Sequence, residues 1–85
     1  MLNSKVTEGF NETEIEVIVR MAIRRSAFKW QFIDVSQPAP LNPGDLLIRL
    51  RSELGEVHNF PFQIRHLNAT SAVNGIVRML DERAP

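Results

Sequence analysis

The chain has no cysteine, no excess of either charge and no long apolar run, and each absence closes off a class of function. Without cysteine, neither disulfides nor thiolate metal ligands can hold the fold, and thiol catalysis is excluded. With 10 basic and 10 acidic side chains the formal net charge is zero, so the electrostatic signature of a protein that coats nucleic acid is missing. Nowhere do eighteen apolar residues follow one another, as a membrane-crossing helix requires. The 4 glycines stand apart, at positions 9, 44, 55 and 75, and cannot form a phosphate-cradling loop. No serine sits in a glycine-flanked nucleophile elbow, and Ser52 and Ser71 suit a turn and a helix start instead.

At 85 residues, 44% of them hydrophobic and 24% charged, the composition is that of one small globular domain with one core. Residues 1–9 are polar and aperiodic and read as a loose arm, leaving 10–83 as the domain. The first five residues carry no apolar stretch of signal-peptide length, and the expectation is a cytoplasmic protein that does not enter a membrane.

The order of the hydrophobic patterns predicts an α+β fold, α-β-β-β-α, in which a three-stranded antiparallel sheet is covered on one face by two helices. Asn11 can cap a helix over 11–25, with Glu14 as its capping-box partner and Phe10 and Ile15 as a hydrophobic staple. Glutamates crowd the first turns and Arg20, Arg24 and Arg25 the last, which complements the helix dipole. Ile15, Ile18, Val19, Ala22 and Ile23 repeat at helical spacing. The same stretch also alternates strictly through Ile15, Val17, Val19, Met21 and Ile23, so a strand, and with it a β-β-β-β-α fold, is the alternative.

From 27 to 35 the aromatics Phe28, Trp30 and Phe32 alternate with Lys29 and Gln31, as in a half-buried strand. Pro38 and Pro40 end it, and Asn42-Pro43-Gly44-Asp45 reads as a turn. Leu46, Ile48 and Leu50 define a second strand, although Asn42, Pro43 and Gly55 equally frame a helix over 43–54 carrying Leu46, Leu47, Leu50 and Leu54. His58, Phe60, Phe62 and Ile64 define a third strand, which Pro61 assigns to a sheet edge or a bulge. Asn68 or Thr70 can cap a last helix with Ala72, Val73, Ile76, Val77 and Leu80 inward, and Gly75 within it suggests close packing against the sheet.

This order of elements resembles the layout of double-stranded RNA-binding domains over about residues 11–83. In that family a lysine cluster at the start of the second helix contacts phosphates. The matching stretch here, 68–74, holds no lysine, so the resemblance implies a layout and not that family's function.

Two surfaces are candidates for function. Strand parity places Lys29, Gln31, Arg49, Arg51 and Arg65, with Asn59 and Gln63, on the outer sheet face, where four cations meet one acid, Glu53. Such a face suits phosphates or an acidic protein surface. No aromatic stands among those cations to stack a base, and the neutral chain argues against nucleic acid. The second surface is the apolar flank of the first helix, where Val17 and Met21 lie outside the inward stripe and suit a homodimer interface. Leu2 and Val6 of the arm are the competing cover for it. His58 and His66, even with Asp34, Asp45, Glu53 and Glu56, match no metal-ligand spacing, and no cofactor is expected. The function expected is a non-enzymatic protein-interaction or regulatory module. The alternatives are a nucleic-acid-binding module and a small ligand-binding protein or enzyme with a pocket between sheet and helices.

Overall fold

A computed structural model describes residues 10–36, 45–65 and 67–83. Within them the elements run α1 (Glu12–Arg25), β1 (Trp30–Ser36), β2 (Asp45–Ser52), β3 (Val57–Gln63) and α2 (Ala69–Glu82). The three strands form one antiparallel sheet in the order β1-β2-β3. Both helices pack on the same face, because Ile15, Ile18, Val19 and Ala22 of α1, Leu46, Ile48 and Leu50 of β2, and Ala72, Val73, Ile76 and Leu80 of α2 share one buried cluster.

The first segment is a helix, as its start signals require. Asn11 Oδ1 accepts from Glu14 N at 2.8 Å, and Glu14 Oε1 accepts from Asn11 N at 2.9 Å, closing the capping box. A strand would have buried Val17 and Met21 with Ile15; in the helix they are 50% and 39% exposed. The β-β-β-β-α alternative is thereby set aside.

Residues 27–29 do not extend β1 as the alternation predicts. Asp81, in the last turn of α2, accepts from Ser26 Oγ at 2.7 Å and from Ala27 N at 3.0 Å, while Ser26 Oγ accepts from Phe28 N at 3.2 Å. The chain is held toward α2 there, so Phe28 leaves the inward row and is 39% exposed rather than buried beside Trp30. Trp30 itself is a core residue, 6% exposed, set edge-on to Phe60 at 5.2 Å and to His58 at 5.4 Å between ring centroids.

The helix alternative for 43–54 also gives way to a strand. Leu46, Ile48 and Leu50 are buried, whereas Leu54, which the helix would have turned inward, is 76% exposed. Gly55 serves a hairpin instead of a helix stop. At φ +87° it occupies the left-handed region, its N–H donates to Ser52 O at 2.9 Å, and Ser52 N donates to Glu56 O at 2.8 Å. Ser52 Oγ, buried under the turn, accepts from Leu54 N and Glu56 N.

Pro61 falls on the edge strand β3, opposite Leu47, where its missing donor is tolerated. Asn68 caps α2 by accepting from Ser71 N at 2.8 Å. Gly75 does mark a close approach: a Cβ there would lie 3.0 Å from Cζ and 3.1 Å from Cε1 of Phe62. Among the described residues no helix is long and apolar enough to cross a membrane. The turn expected at Asn42-Pro43-Gly44-Asp45, the arm with Leu2 and Val6, and His66 lie outside the described residues, apart from Asp45.

Candidate interaction surface

The outer sheet face differs from the basic surface that parity predicted, and the cause is a single residue in β1. Phe32 pairs with Leu50, but Asp34, not Ile33, pairs with the next residue of β2, Arg49. Ile33 is therefore a bulge, and beyond it the faces exchange: Val35 pairs with Ile48 on the inner side and Asp34 turns outward. Arg49 then meets Asp34 as a fork, with Nε on Oδ1 at 2.9 Å and Nη2 on Oδ2. Hydrogen bonding from the guanidinium, aided by its charge, holds the Asp34 carboxyl below its ordinary 3.8, and the carboxylate lifts Arg49 above its own ordinary value.

Of the remaining members of that surface, Lys29, Gln31 and Arg51 are brought to one groove. Arg51 Nη1 donates to Gly55 O at 3.1 Å, tying β2 to its own hairpin. Gln31 is exposed and pairs in register with Arg51. Lys29 precedes β1, and Arg65 follows β3 and is half-buried with an interaction of its own, so neither is placed by strand parity. Lys29, Gln31 and Arg51, with the acid Glu53, line a shallow groove of about 320 Å³. Asn59 and Gln63 are exposed on β3. The signal for the bulge was present in the sequence, because the apolar alternation of Trp30 and Phe32 changes phase at Ile33 and Val35.

Among the described residues no three His, Asp or Glu side chains converge on one point. His58 points inward, half-buried, with Nε2 at 3.6 Å from Glu56 Oε1, too long for a hydrogen bond. Trp30 Nε1 and His58 Nε2 are both buried without a hydrogen-bond partner among the described residues. A groove of about 230 Å³ runs between α1 and β1 and is lined by Ile15, Glu16, Phe32 and Asp34 among others.

The two flanks of α1 have different surroundings. On the β1 side Glu16 accepts from Arg20 Nε at 2.8 Å, and the Arg20 guanidinium lies 4.5 Å from the centre of the Phe32 ring, so charge and aromatic surface there cover one another. On the other side stand Val17 and Met21, exposed, with Met21 and Arg25 bordering a groove of about 90 Å³ against Ala69, Thr70 and Val73 of α2. Arg24 and Arg25 form no ion pair among the described residues.

Both edges of the sheet are interrupted. Pro61 removes a donor from β3 and the Ile33 bulge breaks the run of β1, features that discourage strand addition from another chain. No protein-family model matches the chain, and no curated protein or solved structure matches it either.

Proposed function

We propose that the chain is a non-enzymatic protein-interaction or regulatory module that acts as a homodimer through the outward flank of α1. The observation that carries this reading is the exposure of Val17 and Met21, 50% and 39%, on a helix that already buries Ile15, Ile18, Val19 and Ala22. Adjacent exposed apolar side chains favour association, and a surface that meets its own copy is the commonest way such a flank is covered. Interrupted sheet edges disfavour strand addition as a route to the dimer. The reading places the module in the cytoplasm, in keeping with a cysteine-free chain.

The nucleic-acid alternative rested on a basic sheet face, and the engagement of Arg49 by Asp34 and of Arg51 by Gly55 O removes much of its motive. The same engagement weakens the expectation of an acidic protein partner for that face. The ligand or enzyme alternative calls for a pocket between the layers; the groove of about 230 Å³ between α1 and β1 lies there, while Val19, Ile48, Leu50, Ile76 and Leu80 are packed to zero exposure. Light scattering tests the proposal. A dimeric mass at micromolar concentration, reduced to monomer by Val17→Lys with Met21→Glu, supports it; a monomeric wild type, or a dimer indifferent to those changes, rejects it.

A further inference from the structure

We infer that α1 packs antiparallel against α1 of a second copy, about a twofold axis at the level of Val19, with Glu14 paired to the partner's Arg24. This rests on the dimer reading above and specifies its register. Glu14, Val17, Met21, Arg24 and Arg25 follow one another at spacings of three or four residues and so share one face of α1, an arc of about 100°. That face is the one turned away from β1, since Glu16 and Arg20 occupy the opposite flank against Phe32.

The charges on this face are self-complementary in one orientation only. A twofold at Val19 exchanges Val17 with Met21, and the same operation carries Glu14 onto Arg24 and Thr13 onto Arg25. Each apolar side chain then meets its counterpart at the centre, and each acid at the N-terminal end meets a base from the C-terminal end, twice over because the interface is isologous. A parallel pairing would instead set Arg24 and Arg25 against Arg24 and Arg25 of the partner subunit and align the two helix dipoles unfavourably. The groups needed are at hand. Glu14 uses Oε1 to close the capping box and keeps Oε2 for an incoming guanidinium. Arg24 and Arg25 are exposed and form no ion pair among the described residues. The groove between Met21, Arg25, Thr70 and Val73 is placed to receive the partner's Val17, which extends the contact onto the first turn of α2.

Charge reversal in two separate chains tests the register. Arg24→Glu alone sets Glu14 against a glutamate at both ends of the interface, and Glu14→Lys alone sets a lysine against Arg24; each variant should self-associate about tenfold more weakly than wild type. Mixed one to one, the two variants restore opposite charges at both ends, and the mixed dimer should regain close to wild-type affinity. A second readout does not depend on the capping box that Glu14→Lys opens. The cysteine-free background allows Val17→Cys and Met21→Cys chains to be mixed and oxidised, and disulfides should join 17 to 21 in preference to 17 to 17 or 21 to 21. Homodisulfides in excess, or charge variants that neither weaken nor rescue association, overturn the antiparallel register while a dimer sensitive to Val17→Lys leaves the proposed function standing. A monomeric wild type overturns both.

Discussion

Asp34 on β1 and Arg49 on β2 are joined as a two-pronged ion pair across the outer face of the sheet, and they meet only because Ile33 is bulged out between Phe32 and Asp34. Removing the extra residue would return Asp34 to the inner face, among apolar side chains, and send Val35 outward. The bulge therefore decides where a charge and an aliphatic side chain go.

Its electrostatic consequence can be measured. The Asp34 carboxyl is held below its ordinary 3.8, so whatever stability the pair supplies is present in full above that value and is lost as pH falls through the lowered one. Denaturant titrations of wild type and Asp34→Asn should differ slightly at neutral pH, in favour of wild type, and converge well below pH 3.8. A gap that persists or widens in acid would show that Asp34 acts through something other than its charge. The effect is small, since both side chains are exposed by nearly half.

Trp30 is the largest side chain of the core and bears edge-on against Phe60 and His58. Trp30→Ala should cost about 3–5 kcal/mol, enough to leave a domain of this size largely unfolded at room temperature. Circular dichroism with urea titration reads this directly, and a variant of near-native stability would contradict the packing described.

Gly75 and Phe62 should be energetically coupled. Alanine is worth about 1 kcal/mol over glycine inside a helix, but here its methyl group would meet the Phe62 ring at 3.0 Å. Gly75→Ala in the wild type should therefore gain less than the same change made with Phe62→Leu. Equal gains in the two backgrounds, measured by a double-mutant cycle, would mean that the contact imposes no constraint.

The sheet face predicts little affinity for nucleic acid. With Arg49 and Arg51 engaged within the protein and no net charge, binding to duplex DNA or RNA at physiological salt should be weak or undetectable. Submicromolar binding by fluorescence anisotropy, lost in a folded Arg49→Glu, Arg51→Glu variant, would restore the nucleic-acid reading.

Most of the fold was legible because its local signals agree with its packing. Asn11 with Glu14 marks the start of α1 and Asn68 or Thr70 that of α2, whereas the alternation of Leu46, Ile48 and Leu50 competes with the helix framed by Asn42, Pro43 and Gly55. At two places the chain departs from strict alternation because the ladder is interrupted. At Phe28 a hydrogen bond from Ala27 to Asp81, 54 residues away, pulled the chain off the row, and no local pattern contains that contact. At Ile33 the apolar pattern changes phase, and only the bulged register turns Asp34 onto the outer face beside Arg49. The flank of α1 was legible as surplus apolar surface, since Val17 and Met21 exceed what one stripe can bury. The partition of its charges was not, because only packing shows that Arg20 and Glu16 are committed to Phe32 while Arg24 and Arg25 are not.

The interface itself is tested most directly by isotope-filtered NMR on a mixture of labelled and unlabelled chains, which reports only contacts between different molecules. The account predicts intermolecular NOEs between the methyl groups of Val17 and Met21, with none at Asn59 or Gln63 on the sheet. Intermolecular contacts confined to the sheet face, or absent at concentrations where scattering reports a dimer, would contradict an interface on α1.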